Sequence, residues 1–205
     1  MARKSPEDRE KEIIEAAIKV FSEKGYNAST TSEISKKAGI AEGTIFRYFK
    51  NKKALLARII MFSSKLIGKS IITNRLEKII RDNKDKSLKE VLKLIMIDRI
   101  ELLEKNKEIF KIVFTEIQYQ EDLKEQFMEN IILTVKEMIE GHILHNDFKE
   151  KFKDLDLMVM VRTFIGCVVM YVVQKSIFPE LIKLDRERQV DQMVEMMLYG
   201  VINTK

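Results

Sequence analysis

Thr30-Thr31-Ser32-Glu33-Ile34-Ser35-Lys36-Lys37-Ala38-Gly39-Ile40-Ala41-Glu42-Gly43-Thr44-Ile45-Phe46-Arg47-Tyr48-Phe49 decides how this 205-residue chain is read. Thr30 and Glu33, three apart, form a capping box that opens a helix. Ile34 and Ala38 give that helix a short apolar face, and Gly39 supplies a turn. A second short helix follows from Glu42 to Phe49, with Ile45 and Phe49 one turn apart and inward. Two short helices around a Gly turn have the spacing of a helix-turn-helix, whose second helix enters a DNA major groove. With Ile45 and Phe49 inward, Thr44, Arg47 and Tyr48 share the outward face. Arg47 is suited to bidentate pairing with guanine, and Thr44 and Tyr48 to bonding phosphate or base edges. Gly43 lets a duplex approach the backbone closely. Lys50 and Lys52 bracket the motif and suit phosphate contact. The helix start at Thr30, Thr31 and Ser32 offers free backbone N–H groups to a further phosphate. Glu42 has two readings, a cap on its own helix or an acceptor for cytosine N4.

The flanks agree. Ser5-Pro6-Glu7-Asp8 reads as a helix start, Ile14, Ala17, Ile18 and Phe21 as its apolar stripe, and Gly25 as its stop. Asn51 is placed to cap a fourth helix carrying Leu55, Leu56, Ile59, Ile60 and Phe62. Residues 1–60 hold 13 Lys/Arg and 8 Asp/Glu, whereas 61–205 hold 24 of each, so the whole net charge of +5 lies in the first 60 residues. Such local positive charge is the footprint of a polyanion binder.

The rest of the chain reads as helix. Gly and Pro number 7 and 2, where average usage would supply roughly 25 together. Sheet corners and tight turns need those residues, so an all-β or Rossmann-type chain is disfavoured. Helices are expected near 52–82, 88–105, 107–119, 121–145, 155–178 and 186–203. The fold class is therefore all-α: an N-terminal three-helix helix-turn-helix domain over 1–52, and a larger helical domain over 53–205, about nine helices in all. The helix 88–105 is apolar nearly all round, as in a buried helix. Asp98 and Arg99 interrupt it, either paired with a group such as Glu116 or oriented toward a ligand. Phe62, Leu66, Phe110, Phe114, Phe127 and Ile131, with Arg99, are the candidate lining of a pocket for a hydrophobic compound, lipid-like or cationic and aromatic; the same Phe and Met stripes also suit plain core. Helices 155–178 and 186–203 suit an isologous four-helix interface between two copies, using Arg162, Gly166, Cys167, Met170, Met193, Met197 and Val201. Arg162 is expected to pair with an acidic group such as Asp191 or Glu195, across or within the dimer.

Other classes have little support. A single Cys excludes a disulfide framework and any thiolate metal cluster, and fits a reducing, cytosolic setting. The stretch Leu157 to Val173 contains Arg162 and falls short of the ~20 residues a membrane helix needs. His142 and His145, beside Glu140 and Asp147, either bind a divalent metal or complement a helix end. No Gly-rich phosphate loop or nucleophile elbow occurs, so neither an enzyme nor a cofactor is expected.

The run from Ala28 to Leu56, with Ala17 to Phe21 and Gly25-Tyr26 before it, resembles the N-terminal signature of the TetR (tetracycline-repressor-like) family of bacterial transcriptional regulators. The resemblance covers about residues 8–57. It implies a cytoplasmic homodimer, on the nucleoid when DNA-bound, whose two heads read a palindromic operator in double-stranded DNA. It also implies repression relieved by a small effector. Thr31, Gly43, Thr44, Tyr48 and Lys52 stand where the family commonly touches DNA. Two departures stand out: Ala41 replaces a frequent capping Ser, and Phe46 a frequent Tyr. A non-transcriptional, architectural DNA binder of the same fold is the alternative.

Overall fold

The computed structural model describes residues 5–67, 69–121 and 156–200, together with 124, 125, 128 and 133. All the described elements are helical, in the order α1 (Pro6–Lys24), α2 (Thr31–Ala38), α3 (Glu42–Tyr48), α4 (Lys52–Ile67), α5 (Lys69–Asp82), α6 (Leu88–Lys105), α7 (Lys107–Glu116), α8 (Leu157–Ile177) and α9 (Arg186–Tyr199). A single 3-10 turn, Pro179–Leu181, separates the last two. The expected helix over 52–82 is described as α4 and α5 on either side of residue 68. The expected 107–119 helix stops three residues earlier.

The helix ends follow local chemistry. Ser5 Oγ accepts from the Asp8 N–H at 3.1 Å, with Pro6 at the first position. The α2 capping box is complete: the Glu33 N–H donates to Thr30 Oγ1 at 3.2 Å and the Thr30 N–H donates to Glu33 Oε2 at 3.0 Å. Gly39, at φ 65°, closes α2 in the left-handed region, which Gly enters without a Cβ clash. Asn51 Oδ1 receives the Ala54 N–H at 2.8 Å and opens α4. Ser87 and Glu90 repeat the capping box on α6, and Asp185 caps α9.

The chain divides into two compact units. The first comprises residues 1–71 and 107–135. Its core joins Ile13, Ala17 and Phe21 of α1 to Ile34, Ile45, Phe49, Leu55, Leu56 and Ile59, and to Ile109, Ile112 and Val113 of α7. Burying a side chain of this size contributes about 1.5–3 kcal/mol, so some ten of them hold three short helices that could not persist alone. The second unit comprises 72–106 and 136–205. Its core is Met96 and Ile100 of α6, Val168 and Tyr171 of α8, and Val190 and Val194 of α9.

Two expectations are corrected in the second unit. Asp98 does not pair with Glu116. Its buried carboxylate is held by Arg75 of α5 and by its neighbour Arg99, whose Nε donates to Oδ2 at 2.9 Å. Arg99 is its neighbour in sequence and Arg75 belongs to the same compact unit, whereas Glu116 belongs to the other. Nor does Arg162 pair with Asp191 or Glu195 of its own chain. Lys93 reaches Asp191 at 2.8 Å and Lys89 takes Glu195, both from α6, which lies against α9. Arg162 is exposed and has no ion-pair partner among the described residues.

The apolar stretch runs further than Leu157 to Val173. Met158–Ile177, mean hydropathy 1.5, is long and apolar enough to cross a membrane by length and composition alone. One of its sides instead packs Val168 and Tyr171 into the second core.

Candidate nucleic-acid interface

α3 is seven residues long and stays helical because its underside is fixed. Ile45 is buried at 1% exposure. Tyr48 is half-buried and packs against the first core. The helix ends at Tyr48, and Phe49, at φ −132° and ψ 122°, is already extended. Phe49 is buried as expected, but its burial no longer sets the phase of the helix. That shifts the outward face. At ~100° per residue, Ile45 and Tyr48 define one side and Gly43, Phe46 and Arg47 the other. Glu42, Gly43, Phe46 and Arg47 are exposed, while Thr44 is half-buried at the margin beside Tyr48. The outward set read from the sequence, Thr44, Arg47 and Tyr48, therefore contributes Arg47 alone to the centre of the face.

Phe46 is the residue that reading missed. Its ring is 50% exposed on the recognition face. The signal was present as an aromatic next to, rather than one turn from, the buried Ile45. Gly43 forms the floor between Phe46 and Arg47, and a Cβ built there meets nothing within 4 Å. Arg47 and Lys50 are exposed and have no partner among the described residues, so both charges are available to a polyanion.

α3 lacks a side-chain N-cap, as Ala41 implies. A different tie steadies its start: the Thr31 hydroxyl donates to Glu42 Oε1 at 2.6 Å. Glu42 thus joins the starts of α2 and α3, an outcome neither of its two sequence readings contained. Thr30 and Glu33 are engaged in the α2 cap, and Lys24 bonds Glu33 from the end of α1. Those bonds hold the Glu33 carboxyl below its ordinary value of 4.5, the Lys24 hydrogen bond foremost. They raise Lys24 for the same reason. Ser32 is exposed beside them.

Lys52 occupies a built position. Its ammonium donates to the carbonyl oxygens of Tyr26 at 2.7 Å and Ser29 at 2.8 Å, and reaches that of Asn27 at 3.4 Å. It also stands 4.4 Å from the centre of the Tyr26 ring. An ammonium has three donors, and all three point into the α1–α2 loop. The Tyr26 ring packs edge-on against Phe21 at 5.3 Å. Burial, then the charge of Glu116 on α7, push the Tyr26 phenol up. Lys52 thus fastens the loop before α2 to the start of α4, with the recognition helix between them in sequence. Lys111 of α7 adds a second tie, donating to the Ser22 carbonyl oxygen at 2.6 Å.

The other candidates are more dispersed. Arg99 is nearly buried, and its Nη1 has no hydrogen-bond partner. Phe110 is half-buried and Phe114 is 68% exposed. Phe127, Ile131, His142, His145 and Val201 lie outside the described residues, as do the side chains of Phe62 and Leu66. Two open surface grooves lie elsewhere, one along α9 at Leu184, Met193 and Met196, the other along α6 at Lys93, Leu94 and Ile97. On α8, Arg162 and Met170 are exposed; Gly166 and Cys167 are half-buried, and Met193 and Met197 of α9 pack partly on their own core. Met158, Ile165, Met170, Val173 and Ile177 of α8 and Met196 and Tyr199 of α9 form an exposed apolar surface.

Comparison with known proteins bears on this geometry. Residues 13–59, the whole of the helix-turn-helix and its supports, match the family described as bacterial regulatory proteins, tetR family. The chain is 42% identical over 93 residues to the fatty acid metabolism regulator protein of Bacillus subtilis, a match covering 45% of this chain and 44% of that protein, so under half of that relative is spanned. It is 25% identical over 198 residues to the HTH-type transcriptional regulator YvkB of the same organism, covering 93% of this chain and 96% of that one. Among solved structures, it is similar to the transcriptional regulator FadR from Bacillus subtilis in complex with stearoyl-CoA, with a TM-score of 0.66, 26% identity, and coverage of 94% of this chain and 99% of that one.

Proposed function

We propose that the chain, whose residues 13–59 match the tetR family of bacterial regulatory proteins, is a DNA-binding transcriptional regulator of that family. It binds a palindromic operator as a homodimer, represses, and is released by a small hydrophobic effector. The carrying observation is the outward face of α3. Arg47 has no partner among the described residues and lies beside the open floor at Gly43, on a helix whose underside is fixed in a core; Lys50, exposed just past the end of that helix, has none among them either. A cationic, Cβ-free edge of this size fits a major groove.

Residues 1–52 form the reading domain and 53–205 the effector and dimerisation domain. Dimerisation is assigned to the exposed apolar surface of α8 and α9, which water would otherwise cover at a cost. Two recognition helices must then lie about 34 Å apart, or a multiple of it, on one face of the duplex. An effector that changes that spacing weakens binding. Moving the population from 1:99 to 99:1 takes ~5.5 kcal/mol of differential affinity, within reach of two buried apolar ligands per dimer. The protein works in the cytoplasm, on the nucleoid when bound, with no membrane attachment and no catalytic role.

For the effector, the likeness to a regulator solved with stearoyl-CoA favours an acyl thioester over a cationic aromatic. Arg99 supports the same choice, since a nearly buried guanidinium with an unpartnered N–H attracts an anionic group. The test is a gel-shift titration on a duplex selected from a random pool, with stearoyl-CoA or a hydrophobic cation added. Release by stearoyl-CoA, diminished in Arg99→Met, is expected. Release by the cation alone would reverse the assignment. Footprinting separates the architectural alternative, which would give broad cover at unrelated sites rather than one palindrome.

A further inference from the structure

We infer that Phe46 is a specificity-determining residue that reads the C5-methyl group of thymine in the major groove. This inference rests on the DNA-binding reading above. Three observations carry it. First, the ring is half exposed on a helix whose other large apolar side chain, Ile45, is buried at 1%, so α3 can bury more apolar surface and does not bury this one. Phe46 neither belongs to the first core nor packs against it, and it joins no ring pair among the described residues. Second, its direction is fixed. Ile45 and Tyr48 hold the roll of the helix from below, and Phe46 lies about 60° around the axis from Gly43. Third, its neighbours define the occupant. Gly43 leaves open floor on one side, and Arg47 on the same helix and Lys50 just past its end are exposed cations without a partner among the described residues. Positive charge flanking a bare ring suits a duplex better than a protein partner of mixed charge.

The chemistry narrows it further. A phenyl ring has no donor or acceptor, so it cannot read a hydrogen-bonding edge or bond a phosphate oxygen. The apolar feature of the major-groove base edges is the thymine methyl. Phe46 therefore discriminates a methyl-bearing pyrimidine at one position in each half-site, beside the base contacted by Arg47.

The experiment uses the full-length protein and duplexes selected by it from a random pool. Each thymine of the selected sequence is replaced in turn by deoxyuridine, which removes the methyl and keeps every hydrogen-bonding group. At one symmetric pair of positions the wild type should lose about fourfold in affinity per methyl, or roughly fifteenfold with both half-sites changed, as burial of one methyl-sized group predicts. Phe46→Ala should bind the thymine and deoxyuridine duplexes equally at those positions, and Phe46→Leu should keep part of the difference. Both variants should retain the wild-type melting temperature, because the ring is outside the core. Equal binding of every deoxyuridine duplex by the wild type overturns the inference. So does a Phe46→Ala protein that remains as sensitive to the methyl as the wild type. Failure to select any duplex sinks the DNA-binding reading itself, which the deoxyuridine series tells apart from failure of Phe46 alone.

Discussion

Gly43 and Lys52 carry opposite lessons. A Cβ at Gly43 meets nothing within 4 Å, and Gly in an exposed helix costs about 0.5–1 kcal/mol relative to Ala. Gly43→Ala should therefore leave the melting temperature unchanged or raise it slightly. Affinity for a selected duplex should fall by tenfold or more, because the methyl stands where the duplex must approach. Parallel melting curves and gel shifts check both halves. Lys52 read as a phosphate ligand from its place after the recognition helix, but its ammonium is held by the carbonyls of Tyr26, Asn27 and Ser29. A phosphate ligand contributes about 0.9 to the slope of log affinity against log salt. Lys52→Met should weaken binding with that slope unchanged and should speed amide exchange at residues 25–30. A slope reduced by about one with unaltered exchange would identify a phosphate contact instead. The positions of Gly43 and Arg47 were legible in the sequence because each depends on its own helix. The clamp of Lys52 on a loop some 25 residues earlier was not, since no local spacing encodes it. Phe46 was passed over for a similar reason. Placing Phe49 in the helix rolled the face toward Thr44, and only the extended backbone at Phe49 restores the phase.

At the scale of elements, short helices depend on their ends. α2 has eight residues and α3 seven, well below the length at which a helix persists alone. Caps and core contacts together hold them. The starts at Ser5, Thr30, Asn51 and Ser87 were readable, because a capping side chain and the backbone N–H that donates to it lie within one turn. The early end of α7 was not, because apolar periodicity says nothing of where a helix stops. The caps also predict an acid response. Glu33 and Glu90 titrate below their ordinary value, held down mainly by a hydrogen bond from the Lys24 ammonium and from the Ser87 hydroxyl respectively. A carboxyl lowered on folding stabilises the fold above its unfolded value of 4.5, and that contribution is lost as pH falls through the folded value. The melting temperature should be flat from about pH 5 to 7 and decline below about 4.5. Glu33→Gln should start lower at neutral pH and lose less on acidification. An equal acid decline in the variant would show that Glu33 does not carry this effect.

At the scale of the molecule, α8 and α9 carry large apolar side chains that stand exposed in one chain. A stable interface buries about 800 Å² per partner with a largely apolar core. Placing a charge there, as in Met170→Glu, where the side chain is 61% exposed, should leave the helical content of the chain intact. It should shift sedimentation from dimer to monomer and reduce operator affinity by a hundredfold or more, because two linked heads bind as one ligand. An unchanged dimer would move the interface elsewhere. The all-helical body was evident from composition and period. The pairing of Asp98 with Arg75, and of Asp191 with Lys93, was not, because those partners are joined by packing rather than by spacing.

The central claim is that α3 is a fixed probe, carried in duplicate, that enters a major groove. Selection of bound duplexes from a random pool by the full-length protein, read at moderate salt, tests it most directly. The account predicts an inverted repeat whose half-site centres lie one helical turn or a whole multiple of it apart, and its loss in Arg47→Ala with the fold intact. Recovery of sequences with no repeat and no common half-site, or the same repeat recovered unchanged by Arg47→Ala, would contradict it.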